Sequence, residues 1–158
     1  MEKGGEADVL FSIQLSLPRD ARFVSLLRNV AGCVFDDIGA PREATNDIQV
    51  ALTEACANAI RHAVGSNAYS VAFSVDAEGC EIEVVDLGPG FELPADILLD
   101  PEPDGENETG RGVLLMRALV DDLQFIRQED GTSVTLRKYW PEVGLALVKE
   151  VERSQGRG

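Results

Sequence analysis

Glu54, Asn58 and His62 recur every four residues within Leu52–Ala63, and at about 100° per residue they share one face of a helix. A carboxylate, an amide and an imidazole stacked in this way can take up a proton, ligate a hard cation and contact an anion. Ala51, Leu52, Ala55, Ala59 and Ala63 point elsewhere. The helix therefore carries a core stripe and a polar stripe at once, which suits the wall of a site better than a solvated face.

Two more segments have chemical potential. In Asp86-Leu87-Gly88-Pro89-Gly90 the carboxylate can accept hydrogen bonds and the glycines let backbone or ligand come close. Taken alone it reads more readily as a turn that ends a strand. Thr109-Gly110-Arg111-Gly112 stands at the start of an expected helix, where unpaired amides and the positive dipole end favour phosphate oxygens. Taken alone, a hinge followed by a helix start explains it equally well.

The surrounding periodicities predict what positions these groups. Val9, Phe11, Ile13, Leu15 and Leu17 alternate as a half-buried strand ending at Pro18. Phe23, Leu26, Leu27, Val30, Ala31, Val34 and Ile38 follow helical spacing, with Gly39 and Pro41 as a stop. A second helix from about Glu43 to Val64 carries the polar stripe. Tyr69 to Val75 and Cys80 to Val84 form a hairpin around Ala77-Glu78-Gly79. A mobile loop is expected over about 92–109, then a helix from Gly112 to Val120, a strand through Leu123 and Phe125, and a last strand through Thr132, Val134 and Leu136. The order strand, helix, helix, strand, strand, helix, strand, strand predicts an α+β, two-layer sandwich with helices on one face of a mixed, mostly antiparallel sheet. We expect an N-terminal extension over 1–8, one domain over 9–140, and a tail over 141–158 with a short helix at Leu145–Val151.

Composition narrows the class. The 158 residues can bury one core, and no apolar run reaches the roughly 20 residues of a bilayer span. Neither a signal peptide nor a membrane anchor is legible, so a cytoplasmic location is expected. The formal charge of −14 argues against nucleic acid as partner, because phosphates are bound by Lys and Arg. It leaves a nucleotide open: a divalent cation offsets phosphate charge locally, and distant carboxylates are screened beyond about 8 Å. Cys33, Cys56 and Cys80 lack C-x-x-C spacing and are expected to be buried, reduced thiols.

Together the three segments resemble the N, G1 and G2 boxes of the Bergerat-fold (histidine-kinase-like) ATPases, with the likeness running from about Val9 to Lys138. Glu-Ala-x-x-Asn-Ala-x-x-His-Ala, from Glu54, and Gly-Arg-Gly-Val-Leu-Leu-Met-Arg, from Gly110, are most similar to the anti-sigma-factor serine/threonine kinases of bacterial partner-switching systems. The resemblance implies ATP and Mg²⁺ as cofactors. Asn58 would ligate the metal, Asp86 would accept the adenine amine, Gly88 and Gly90 would shape the base pocket, Gly110 and Gly112 would cradle phosphates, and Thr132 would lie near the base. Glu54 would be the catalytic base. His62 would contact phosphate or serve packing at the helix end, and Arg61 and Arg111 would reach phosphate or face water.

The implied function is to sequester a sigma factor and, with Mg-ATP, to phosphorylate a serine on an anti-anti-sigma protein, commonly as a homodimer. A non-catalytic module that binds ATP and holds a protein partner is the alternative. A histidine-autophosphorylating fragment fits poorly, since the single histidine lies inside the nucleotide motif and no helical pair precedes it. The acidic stretch Asp100–Glu108 departs from the family pattern. It would be a solvated linker, or a lid held open by repulsion from the nucleotide until a cation or basic partner arrives.

Overall fold

The computed structural model describes residues 9–62, 68–86, 108–128, 131–140, 150 and 152–156. Among the described residues, eight elements follow the expected order: β1 (Phe11–Pro18), α1 (Arg22–Asp37), α2 (Arg42–His62), β2 (Ala68–Asp76), β3 (Gly79–Asp86), α3 (Glu108–Leu119), β4 (Asp122–Gln128) and β5 (Gly131–Tyr139). The five strands form one sheet in the order β1-β2-β3-β5-β4. All four pairings are antiparallel, so the sheet expected to be mixed and mostly antiparallel is antiparallel throughout the described strands. The reason is topological. β3 and β4 run the same way and are joined through α3, as in a parallel crossover, but β5 inserts between them and pairs with both.

The alternation within each strand assigns two faces. Tyr69, Val71, Phe73 and Val75 on β2, Ile82 and Val84 on β3, and Val134 and Leu136 on β5 are buried beneath the helices. Ser12 and Gln14 on β1 and Glu81 and Glu83 on β3 lie exposed on the other face. Phe35 of α1 packs edge-on to Phe73, with ring centroids 6.3 Å apart, and to Trp140 at 5.5 Å.

Helix α1 is anchored at both ends. Asp20 receives the Arg22 amide at 2.9 Å on its side chain and the Phe23 amide at 3.0 Å on its carbonyl. At the far end Gly39 takes φ +75°, and the bonds Ala40 N–H to Phe35 O (2.9 Å) and Gly39 N–H to Asp36 O (3.1 Å) close the helix in a Schellman arrangement. The buried stripe is Leu27, Ala31 and Phe35. Phe23 and Leu26, expected on the apolar face, are instead exposed, because that face is only as wide as the seam with α2 and the sheet. Cys33 is also exposed, against expectation; it lies two residues, or about 200°, from both Ala31 and Phe35. Cys56 and Cys80 are buried and free.

Three boundaries differ from the sequence reading. β1 begins at Phe11 and leaves Val9 exposed, and α3 begins four residues before Gly112, at Glu108. The C-terminal residues that are helical are 150 and 152–155, beyond most of the expected Leu145–Val151 helix, whose remainder lies outside the described residues. Also outside them are residues 1–8, almost all of the 92–109 loop, and Gly88 and Gly90.

Two polar networks fix the sheet to its surroundings. Arg137 on β5 donates two parallel hydrogen bonds to Asp76 at the end of β2, at 2.6 and 2.9 Å, and lies over the Tyr139 ring. Asp76 also accepts the Glu78 and Gly79 amides of the hairpin turn, at 2.8 and 3.0 Å. Lys138 joins the helical layer, donating to Asp47 of α2 at 3.2 Å and to the Leu119 carbonyl of α3 at 2.7 Å.

Candidate functional site

The polar stripe of α2 survives folding, but its members meet different surroundings. Ala51, Leu52, Ala55 and Ala59 turn into the core, while Glu54 is half-buried and Asn58 is 1% exposed. Asn58 Oδ1 accepts a hydrogen bond from Arg61 Nη1 at 3.2 Å. That bond settles the orientation of the amide, since only its oxygen can accept from a guanidinium. Nδ2 consequently points inward, shut from solvent and without a hydrogen-bond partner among the described residues. An orphaned donor of this kind costs about 1–3 kcal/mol.

Asn58 opens onto a small cleft between α2 and the sheet. Ala55, Asn58 and Ala59 line the helix side; Val84 and Asp86 of β3 and Thr132 and Val134 of β5 line the other. The two alanines keep helix and sheet from interlocking there. The free space inside is about 10 Å³, at most one water. Asp86 and Thr132 are both buried and stand directly opposite each other in the β3–β5 register. A carboxylate and a hydroxyl between aliphatic walls offer hydrogen-bonding groups beside apolar surface, chemistry suited to a flat polar ring. Tyr69 continues the same row on β2, opposite Asp86.

Helix α3 brings the glycine segment to the polar stripe. Gly110 and Gly112 both lie in its first turns and are buried, while Arg111 between them is exposed. A Cβ on Gly112 would stand 2.8 Å from Glu54 Oε2 and 3.9 Å from Asn58 Oδ1. A bare backbone is therefore what allows the start of α3, with its positive dipole end, to approach both side chains. At the other edge Arg19 Nη2 donates to the Ile60 carbonyl at 2.6 Å, a cation capping the last turn of α2. Arg19, Arg61 and Arg111 thus gather around the end of α2 and the beginning of α3, a basic rim on a chain of net charge −14.

Of the residues singled out from sequence, the structure brings together Glu54, Asn58, Gly110, Arg111 and Gly112 on one side, and Asn58, Asp86 and Thr132 around the cleft. His62 closes α2, with its side chain outside the described residues, as are Gly88 and Gly90. Arg19 and Tyr69 were not legible as site neighbours; their places depend on strand register and on a contact 41 residues apart. Cys56, beside the cleft wall, is no nucleophile: burial pushes its thiol up to about 12. Among the described residues no three His, Cys, Asp or Glu side chains cluster as a metal cage. The donor set fits a cation that arrives with its own oxygen ligands and takes one neutral amide oxygen from the protein.

Comparison with known proteins identifies the family and the fold. Residues 17–138 match the histidine kinase-like ATPase domain. The serine-protein kinase RsbW of Staphylococcus epidermidis is 31% identical over 91% of this chain and 92% of its own length. The serine-protein kinase RsbW of Bacillus cereus strain Q1 is 30% identical over 80% and 84%. Two solved structures share the fold. The RsbU and RsbW domains of Rv1364c from Mycobacterium tuberculosis superpose with a TM-score of 0.61 at 18% identity over 82% of this chain, which spans only 32% of that longer one. The histidine kinase domain of the blue-light activated kinase EL346 from Erythrobacter litoralis gives 0.51 at 19% identity, over 94% of this chain and 70% of that domain. With a shared α+β sandwich, a domain match over residues 17–138 and relatives aligned over most of their length, the chain belongs to the histidine kinase-like ATPases and, within them, to the RsbW serine-protein kinases.

Proposed function

We propose that this chain is an anti-sigma factor that binds Mg-ATP, sequesters a sigma factor and phosphorylates a serine on an anti-anti-sigma protein. The observation that carries the reading is the juxtaposition of Glu54, Asn58 and the side-chain-free Gly112 at the start of α3. Magnesium-bound ATP supplies the transferable γ-phosphoryl group and, through the cation, neutralisation of its charge. The protein's part is positioning. Asp86 accepts a hydrogen bond from the adenine amine, with Thr132 beside it and the aliphatic walls of the cleft against the ring. Asn58 Oδ1 would hold the cation, Gly110 and Gly112 would leave room for phosphate oxygens at the α3 amides, and Arg61, Arg111 and His62 would meet their charge.

Glu54 receives the proton of the attacking serine hydroxyl. The serine oxygen bonds to γ-phosphorus as the bond to the β-phosphate oxygen breaks, and ADP leaves with that electron pair. The phosphoserine carries roughly −1.5 to −2 charge, and a protein of net charge −14 repels it. Transfer thereby ends the partner's residence. We place this activity in the cytoplasm, in a homodimer without nucleic acid or membrane contact; no helix among the described residues is long and apolar enough to cross a membrane.

Label transfer from γ-labelled ATP to purified anti-anti-sigma protein, run beside calorimetric ATP binding, tests the reading. Glu54→Gln should keep nucleotide affinity within about threefold and abolish transfer. Normal transfer by that variant removes Glu54 as the base. Tight ATP binding by the unaltered protein with no label on the acceptor would instead leave a non-catalytic module that uses ATP as a conformational ligand.

A further inference from the structure

Two exposed aliphatic side chains flank the α2–α3 seam within a turn of Glu54 and Gly112. Gly112 of α3 lies against Glu54 and Asn58 of α2, and seven residues farther along each helix Lys138 ties Leu119 to Asp47. The helices therefore run antiparallel in matched register, which sets Val50 and Ala51 across from Leu115 and Met116. Ala51 and Met116 are buried in the seam, whereas Val50 is 41% and Leu115 39% exposed. Val50 stands one turn before Glu54, a spacing of roughly 5–6 Å between Cβ atoms, and Leu115 stands nearly one turn after Gly112.

Single exposed aliphatics are ordinary. The position of this pair is what distinguishes it. A base must come within about 2.6–3.2 Å of the hydroxyl it deprotonates, so the polypeptide on either side of an acceptor serine has to lie over the surface next to Glu54. That surface is the outer side of the α2–α3 seam. We infer that Val50 and Leu115 form the docking subsite for the segment of the acceptor protein that bears the serine, and that this segment presents an apolar side chain next to the hydroxyl. An acidic neighbour would find no cation at either position and would face the Glu54 carboxylate. The inference rests on the reading of Glu54 as the base toward a protein hydroxyl.

Leu115→Asp and Val50→Asp, tested on the full chain, separate this from a general effect. Ile126→Asp is the control, since Ile126 is equally exposed on β4 but faces away from the helices. With an anti-anti-sigma protein that the unaltered kinase labels, each seam variant should raise KM for the acceptor roughly tenfold or more. ATP affinity, kcat at saturating acceptor and melting temperature should stay near those of the unaltered protein, and Leu115→Met should restore KM. Unchanged KM in both seam variants, or an equal rise in Ile126→Asp, overturns the docking surface while leaving the kinase intact. A seam variant that changes the oligomeric state with KM unaltered overturns it too, by assigning the patch to a second copy of the chain. Absence of transfer by the unaltered protein is a separate result and defeats the kinase reading itself.

Discussion

Gly112→Ala should separate stability from activity, and the sign of each effect can be worked from the contact that the new methyl would make. The added Cβ would lie 2.8 Å from Glu54 Oε2, against about 3.4 Å for ordinary contact. The carboxylate would have to yield by about 0.6 Å, and it can, as the end of a flexible side chain. An off-rotamer glutamate costs about 0.5–1.5 kcal/mol. Against this, alanine is about 1 kcal/mol better than glycine inside a helix, and Gly112 lies within α3. The two terms nearly cancel, so urea denaturation should place the variant within about 1 kcal/mol of the unaltered protein. Activity has no such offset. Displacement of a reacting group by a sizeable fraction of an ångström costs on the order of ten- to a hundredfold in rate, and initial-rate label transfer at saturating ATP should fall by that much. Transfer at the unaltered rate would refute the reasoning, because Glu54 would then not need the place that Gly112 gives it. A loss of several kcal/mol would refute it from the other side, making Gly112 a packing residue only.

Further outcomes follow from the same geometry. Asn58→Ala should change stability by less than about 1 kcal/mol, since deleting the orphaned Nδ2 offsets the lost packing; calorimetry should show Mg-dependent ATP binding lost, and unchanged binding would remove Asn58 as the metal ligand. Asp76→Ala strips Arg137 of its two charge-assisted bonds and the hairpin of two caps, at 6% and 13% side-chain exposure for the pair, and should cost about 3–5 kcal/mol in urea denaturation. A cost under about 1 kcal/mol would show the network to be dispensable. In a thiol-reagent titration Cys33 should react at once, and Cys56 and Cys80 only after unfolding. Burial also pushes both buried thiols up from the ordinary 9.0, Cys56 to about 12. The unfolded chain then releases their protons near pH 9 while the folded chain keeps them. Stability is therefore fully present below pH 9 and should fall as pH rises toward 12, by up to about 1.4 kcal/mol per pH unit per thiol. A flat profile between pH 8 and 10.5 would contradict the burial.

The elements were legible because their signals are local. Period-two alternation in β1 and β2, the four-residue spacing in α2, and Gly39 as a helix stop each depend on residues a few positions apart. Misplacements arose where a local pattern is broader than the surface that buries it. Phe23, Leu26 and Cys33 look apolar in a helical window, yet only the Leu27–Ala31–Phe35 stripe meets α2 and the sheet. The start of α3 was placed late for the opposite reason, since Gly110 and Gly112 lower helix propensity just where packing on α2 holds the helix together.

By itself the sequence determined the kind of layers this chain can form and the chemical types available along α2, β3 and α3, because side-chain period and residue identity are properties of neighbours in the chain. Which of those groups face one another was decided only by the tertiary structure. The β3–β5 register sets Asp86 beside Thr132, the insertion of β5 turns a parallel crossover into an antiparallel sheet, and the antiparallel seam of α2 and α3 delivers Gly112 to Glu54. These are long-range pairings, selected by burial of the whole core rather than by the residues that use them, and no local pattern encodes their distances.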